Sequence, residues 1–458
     1  MKRLLCALCA SVFVSSSLHA DLRIGTFNID ATPPVGSSLA YTKMSALDKD
    51  GPLSCRGVVI LSSSQKPIVL CGIDWIGIGN EAYDAFRQAI AKGAGTDANR
   101  VAFHVLHQHE APRCDFTAEN ILAKHGLGGE MFDVKFSHAM IEQTSKAVSG
   151  AAASAKPLTH VATGQAKIEK VASNRRILGS DGKVKFVRYT ATRDPKIRAF
   201  PAGVIDPYVK LIGLFSGDKP VAVLTYYATH PQSYYRNGLA TPDFPGIARN
   251  LRDAALPGVL HVHFTGAGGN IGAGKWNDGA MSNRMVLAKR VEAGMKAAWD
   301  EALKARRAVS EKDVAWSVQS VALPATDALK RETLEKNIAN AKAHRSQRIR
   351  SAVHIAWLDR CAAGHKIDIG CLKIANARVL QMPGELFVEY QLAAQKMRPD
   401  LFVAVAAYGE YAPGYIGTEI AYGQGGYETS PISSRVAPSV EKVLMDAMRK
   451  LLEVPASK

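Results

Sequence analysis

The residues best suited to chemistry in this sequence are His107 and His109, which flank Gln108 at the end of the apolar run Val101-Ala102-Phe103-His104-Val105-Leu106. An apolar run of this length reads as a strand, and side chains two apart on a strand share a face. The pair therefore projects together from a strand end into the loop opened by Ala111-Pro112, a placement that suits a metal ion. Three further strand ends carry side chains able to hold a metal. His230 follows Tyr227-Ala228-Thr229, Glu385 follows Met382-Pro383-Gly384, and a tyrosine-rich loop spans 408–427. Two or three nitrogen or carboxylate ligands plus a water make a hydrolytic zinc centre. Such an ion brings its water toward neutrality in pKa and polarises a carbonyl oxygen. The chemistry to expect is hydrolysis, although spacing alone cannot join positions so far apart.

Other catalytic patterns fall away. His109-Glu110 begins like HExxH, but Pro112 and Arg113 remove both the helix and the second histidine. No GxSxG nucleophile elbow is present. Gly269-Asn270-Ile271-Gly272-Ala273-Gly274-Lys275 has the spacing of a P-loop after a strand. Trp276 then stands where a Ser or Thr would bind Mg²⁺, which excludes nucleotide binding of that type.

The elements that must position these groups follow from the patterning. A strand at 23–30 runs into the rigid turn Thr32-Pro33-Pro34, and apolar runs at 57–61 and 67–71 read as paired strands. An amphipathic helix spans 80–92 with Tyr83, Phe86 and Ile90 on one side and Gly93 as its stop. Further helices are expected over 135–153 and 282–308, with strands at 221–227, 259–264 and 374–380. Strand, polar or glycine-rich loop, then helix is the rhythm of an α/β fold whose site lies at strand ends. A basic helical excursion near 324–352 carries a narrow apolar stripe of Leu334, Ile338 and Ala341, too narrow for a membrane-surface helix. No internal repeat or Pro/Ser-rich linker is evident, so one domain is expected over 21–458.

Residues 1–20 read as a secretory signal: Lys2 and Arg3, an apolar core, and a small-residue exit ending at Ala20. The protein is therefore expected to be exported, periplasmic or secreted. Its formal charge of +16 favours anionic surroundings, namely acidic lipid, envelope polymer or an acidic substrate, with peripheral contact to an anionic membrane among them. Export and the lack of a basic-aromatic module argue against nucleic acid. Cys6 and Cys9 leave with the signal. Among Cys55, Cys71, Cys114, Cys361 and Cys371, the last two bracket a glycine-containing loop and are placed to close a small disulfide.

Taken together, these residues resemble the neutral, non-lysosomal ceramidase family in its N-terminal catalytic domain. Gly25-Thr26-Phe27-Asn28-Ile29-Asp30-Ala31-Thr32-Pro33-Pro34 is similar to the family's G-x-G-x-x-D-I-T-(P) opening, and His107-Gln108-His109-Glu110-Ala111-Pro112 to its H-T-H-S-G-P motif. Asn174-Arg175 matches its N-R segment and Pro383-Gly384-Glu385 its P-G-E. Tyr415 and Tyr427-Glu428 match its two tyrosine motifs. The resemblance implies an α/β fold of mixed sheets flanked by helices, with zinc held by His107, His230, Glu385 and Tyr415. It places catalytic groups at His109, Tyr427 and Lys275, and substrate-binding groups at Arg175, Gly25, Asn270 and Trp276. The substrate it implies is an N-acyl, ceramide-like amide.

Two departures stand out. Lys275 occupies the place of the family's serine, with Trp276 for proline and Ala273 for aspartate. A zinc-hydroxide mechanism runs without that serine, but the exchange suggests a different substrate. One alternative is a smaller or anionic amide or ester gripped by Lys275 and Arg175, and another is a non-catalytic lipid- or envelope-binding homologue. The sequence also ends without room for the C-terminal immunoglobulin-like domain of many ceramidases.

Overall fold

The computed structural model describes residues 21–455, so the expected signal at 1–20 lies outside the described residues. Strand Leu22–Asp30 pairs antiparallel with Ser54–Ser62, which pairs antiparallel with Ile68–Ile73. Helix Asn80–Ala94 then carries the chain to Val101–Val105, which lies parallel to Ile68–Ile73. A helix, Val134–Ala153, packs back on the first helix and on the sheet.

The same succession occurs twice more. His160–Lys167, Tyr208–Ser216 and Lys219–Tyr227 are antiparallel, helix Asp243–Ala255 crosses over, and Leu260–Thr265 adds in parallel. Helix Asn283–Lys304 covers this second sheet. Val314–Val321, Ile367–Ile374 and Ala377–Gln381 repeat the pattern. Helix Val388–Met397, the parallel strand Phe402–Ala406 and helix Val440–Leu451 complete it. The expectation of no internal repeat thus misses a threefold repetition of topology. Repeating it demands only buried apolar strands and amphipathic helices, which unrelated residues supply equally well.

The three mixed sheets share one inner core. Val58, Ile60 and Leu70 of the first sheet meet Leu214, Leu224 and Val262 of the second and Leu372, Val379 and Ala404 of the third. Alternate residues on the same strands, such as Val59, Val69 and Cys71, face the outer helices instead. Central strands buried on both faces explain why these runs are continuously apolar rather than alternating. The ends of the three parallel strands interlock. Val105 N–H donates to Tyr408 O at 3.0 Å, Ala407 N–H to Thr265 O at 2.9 Å, and the Thr265 hydroxyl to Leu106 O at 2.7 Å. This ring sets the floor from which the functional loops rise.

Several boundaries differ from expectation for local reasons. The first helix continues through Gly93 and ends at Gly95, which takes the left-handed conformation at φ 66°. Gly93 is instead a close-approach residue, since a Cβ there would lie 2.3 Å from the Ser145 carbonyl oxygen. A Gly93→Ala variant gains helix propensity but forces two helix backbones apart, and is expected to lose about 1–3 kcal/mol in chemical denaturation. The apolar run at 374–380 is two strands joined by a tight turn, with Ala375 at φ 55°. The basic excursion is two helices, Arg331–Ala339 and Arg345–Ala362; Leu334 and Ile338 of the expected stripe are buried, but Ala341 is exposed in the turn between the helices.

The expected Cys361–Cys371 disulfide is not formed. Cys361 lies on a helix with its thiol toward Leu323 O, whereas Cys371 is buried in mid-strand, and all five described cysteines are free. No helix among the described residues is long and apolar enough to cross a membrane.

Candidate metal centre and active site

Each unit delivers its functional groups from the carboxyl ends of its third and fourth strands. His107 lies two residues beyond Val101–Val105, His230 three beyond Lys219–Tyr227, and Glu385 four beyond Ala377–Gln381. Ligand sites in α/β sheets form at such strand ends, where neighbouring loops diverge. His107 adopts φ 69°, and its N–H donates to Trp75 O, which turns the imidazole inward. Tyr408 stands at the corresponding position of the third unit, also left-handed at φ 61°, and its ring stacks on His107 at 4.5 Å.

Tautomers fix what each imidazole offers. His107 Nδ1 donates to Ile76 O at 2.5 Å and His230 Nδ1 to Gly268 O at 3.3 Å, so both Nε2 atoms carry lone pairs. Those lone pairs face one another at 3.2 Å with no proton to share. Glu385 Oε2, buried and without a hydrogen-bond partner, lies 3.3 Å from His107 Nε2 and 3.6 Å from His230 Nε2. Three electron-rich atoms at this separation repel unless a cation lies among them. Ligand atoms about 2.05 Å from a tetrahedral ion sit about 3.3 Å apart, and these three edges match.

The surroundings hold each donor in the form a cation requires. Burial, the neighbouring His107 and Arg175 keep His230 well below the usual histidine range, so its imidazole is neutral. Burial opposes ionisation of Glu385, but its neighbours, the donating hydroxyls of Tyr411 and Tyr415 among them, outweigh it and hold the carboxyl below its ordinary range. Tyr411 donates to Glu385 Oε1 at 2.6 Å, which orients Oε2 toward the histidines. Removing that hydroxyl by Tyr411→Phe is expected to weaken metal binding about 10- to 100-fold in chelator competition. Unchanged affinity would show that Glu385 needs no such orientation.

Tyr415 stands opposite Glu385 in a short parallel strand pair, its ring stacked over His230 with centroids 6.2 Å apart. Its hydroxyl accepts from Arg175 at 3.1 Å. Arg175 is placed by a two-residue pairing of Ser173–Asn174 with Ile271–Gly272 and by its own N–H on Asn270 O. Glu428, fully buried, faces both Arg175 and Arg176. The expected ligands His107, His230, Glu385 and Tyr415 are thus brought together, and Arg175 with them.

His109 is close to both histidines but offers something different. Its Nδ1 accepts from the Gln232 amide at 2.9 Å and lies 3.2 Å from the Tyr41 hydroxyl, so in the neutral ring Nε2 carries the proton. That Nε2 is buried and unpartnered, and burial with the adjacent His107 keeps the ring neutral. Although His107, His109 and His230 could together surround an ion, this tautomer makes His109 a proton donor beside the centre. His107, His109, Glu385 and Tyr415 open onto a cavity of about 130 Å³ that Tyr427 also lines from its exposed rim.

Four expected site residues are elsewhere. Lys275 Nζ donates to the carbonyls of Arg198 and Phe200 at 2.6 Å each, tying down a loop away from the cavity. Trp276 points its indole N–H at Ala172 O and packs against the second unit's core. Gly25 is a packing position, where a Cβ would strike Ala151 O, and Asn270 spends its side chain on Glu389 and Val388. Gln232 and Tyr41 are contributors that spacing did not single out, whereas Tyr408 and Tyr411 belong to the tyrosine-rich loop at 408–427 that it did, without a role for either. A second cluster, Asp84, His365 and Glu410, is no rival centre. Arg360 already bonds Asp84 at 2.7 Å and His365 at 2.6 Å, and burial pushes the Glu410 carboxyl up to about 8.

No protein-family model matches the sequence, and no curated protein does. Solved structures do. The neutral ceramidase from Pseudomonas aeruginosa superposes with a TM-score of 0.67 at 15% identity, covering 96% of this chain and 76% of that one. A ceramidase complexed with C2 superposes with the same TM-score at 16% identity, covering 96% and 77%. Both superpositions take in nearly the whole of this chain and about three quarters of the other. This chain has the neutral ceramidase fold, in a form far diverged in sequence.

Proposed function

We propose that the protein is an exported zinc-dependent hydrolase of an N-acyl amide, with a ceramide-like lipid as its substrate class. The observation that carries this reading is the meeting of two imidazole lone pairs and an orphaned carboxylate oxygen at the edges of a tetrahedron. His107, His230 and Glu385 would hold the ion, with the Tyr415 hydroxyl as the fourth protein group beside them. Two imidazoles and a carboxylate with an open side are the donor set of catalytic zinc, which activates a water and polarises a carbonyl.

The chain's own groups do the rest. His109 presents its Nε2 proton to the scissile amide, held in that tautomer by Gln232 and Tyr41. Tyr427 offers a hydroxyl from the rim of the cavity, and Arg175 keeps Tyr415 in place from behind. Such donors stabilise the charge that develops on the carbonyl oxygen, and loss of one typically costs about 10²–10³ in kcat. The positive surface favours contact with an anionic membrane, where an N-acyl lipid would be met.

Purified protein should contain about one zinc per chain and hydrolyse ceramide or short acyl amides. Chelation should abolish the activity and zinc should restore it. Full activity in metal-free protein would overturn the zinc reading, and zinc-loaded protein inert toward every amide would overturn the hydrolase reading.

A further inference from the structure

Two arginines in the cavity make no salt bridge among the described residues, although the Asp115 and Glu385 carboxylates act on Arg435 from farther off. Arg113 comes from the loop beyond His109, half-buried, with Nη2 on Ala40 O at 2.9 Å. Arg435 approaches from the opposite end of the chain, buried, bonded to Ala412 O and with its Nε unpartnered. Among the described residues neither has an acidic oxygen within 4.0 Å, although both line the cavity that holds His107, His109 and Glu385. Left-handed Gly414, at φ 66°, lets the chain pass close to the Ser433 carbonyl oxygen, which a Cβ would approach to 2.3 Å, beside the Arg435 guanidinium.

The two carboxylates facing the same cavity are already committed. Glu385 belongs to the metal cradle. Asp115 caps helix Phe116–Ala123 through Ala118 N–H at 3.0 Å and accepts from the Asn80 side chain at 2.7 Å. A buried guanidinium with free N–H capacity is costly unless something pairs with it, and planar oxyanions fit its fork of donors. Met131, Val353 and Ile76 line the rest of this wall, so the charge is set in an otherwise apolar pocket. An apolar pocket with a few convergent charged groups is the construction of a specificity site.

We propose that Arg113 and Arg435 recognise an anionic group on the substrate, a carboxylate, sulfonate or phosphate a few bonds from the scissile amide. The amide-hydrolase reading supplies the scissile bond, whereas the anion preference stands on the two arginines. Lys275 has no part in it, being tied to Arg198 and Phe200. Substrates of this class are acyl amides that carry an acidic group, favoured over neutral amides such as ceramide within the same N-acyl amide chemistry.

The test uses matched pairs on the zinc-loaded protein. N-dodecanoylglycine is compared with N-dodecanoylethanolamine, and a dicarboxylic acid monoamide with its methyl ester, so that the anion is tried on each side of the bond. Non-hydrolysable ketone isosteres of the same four compounds are titrated by calorimetry, which reads binding without turnover. In at least one pair the anionic member should have the higher kcat/KM and the tighter binding by about tenfold or more, as a charge-assisted pair confers. Arg113→Gln should erase most of that preference, read as the ratio of the anionic to the neutral member in kcat/KM and in isostere binding. Arg435→Gln tests the second arginine, and the half-buried Arg113 keeps the test open if Arg435→Gln fails to fold. Neutral members equal to or better than anionic ones in both pairs would overturn the proposal even if all four amides are hydrolysed. Tight anion-selective binding with no hydrolysis would uphold it and overturn the hydrolase reading instead.

Discussion

Replacing His107 with asparagine is expected to remove bound metal and lower amide hydrolysis by about three orders of magnitude. The ion's polarisation of a carbonyl contributes several kcal/mol, and each 1.36 kcal/mol is tenfold in rate, roughly 10³ in all. Asparagine is the better choice over alanine because position 107 is left-handed at φ 69°, a conformation asparagine tolerates. The backbone bond to Trp75 O survives the exchange. Circular dichroism should therefore be unchanged while metal content falls below about a tenth of the wild-type value. Retained metal with lost activity would make His107 a substrate-contacting group instead of a ligand.

The second large effect is on stability. Arg249 bonds Asp74 through both terminal nitrogens, at 2.6 and 2.9 Å, and both residues are only 2% exposed at the side chain. Asp74 also accepts from the Ser54 N–H and hydroxyl, each at 2.8 Å. It ends strand Ile68–Ile73, directly before Trp75, and its carbonyl holds the Gln108 side chain. The pair therefore clamps the crossover helix of the second unit to the loop that supports His107. Arg249→Met removes the bidentate partner of a buried carboxylate, leaving only Arg56 to act on its charge, and is expected to cost about 3–5 kcal/mol in urea denaturation, with an unchanged slope. Asp74→Asn with Arg249→Met should recover part of that loss, since no charge is then stranded. Burial acts to raise the Asp74 pKa, but Arg249 outweighs it, so the folded value lies below the ordinary 3.8. Its contribution is complete above about pH 4 and is lost as pH falls below that value.

The positions of the candidate ligands were legible in the sequence because each follows a buried strand. His107, His230 and Glu385 follow runs of apolar residues, and a polar side chain just past such a run is conspicuous. The α/β character and mixed sheets were legible from the same runs. Their threefold arrangement was not, because the interlocking of Val105, Thr265 and Tyr408 depends on contacts between distant segments. The roles of Tyr411 and Gln232 were hidden for the same reason: an orienting hydrogen bond has no local signature. Lys275 shows the limit of motif spacing. Its position matched a catalytic serine in order along the chain, yet its long side chain reaches carbonyls of Arg198 and Phe200 far away in sequence. Gly25 was read by motif as a substrate contact and is required by the proximity of a helix.

The most direct measurement is anomalous X-ray diffraction from the zinc-loaded protein, recorded on both sides of the zinc absorption edge. One strong zinc peak is expected about 2.0–2.2 Å from His107 Nε2, His230 Nε2 and a Glu385 oxygen, with His109 Nε2 outside bonding distance. A centre bonded to His109 in place of Glu385, a peak at the Asp84, His365 and Glu410 cluster, or no peak in the cradle would contradict that expectation.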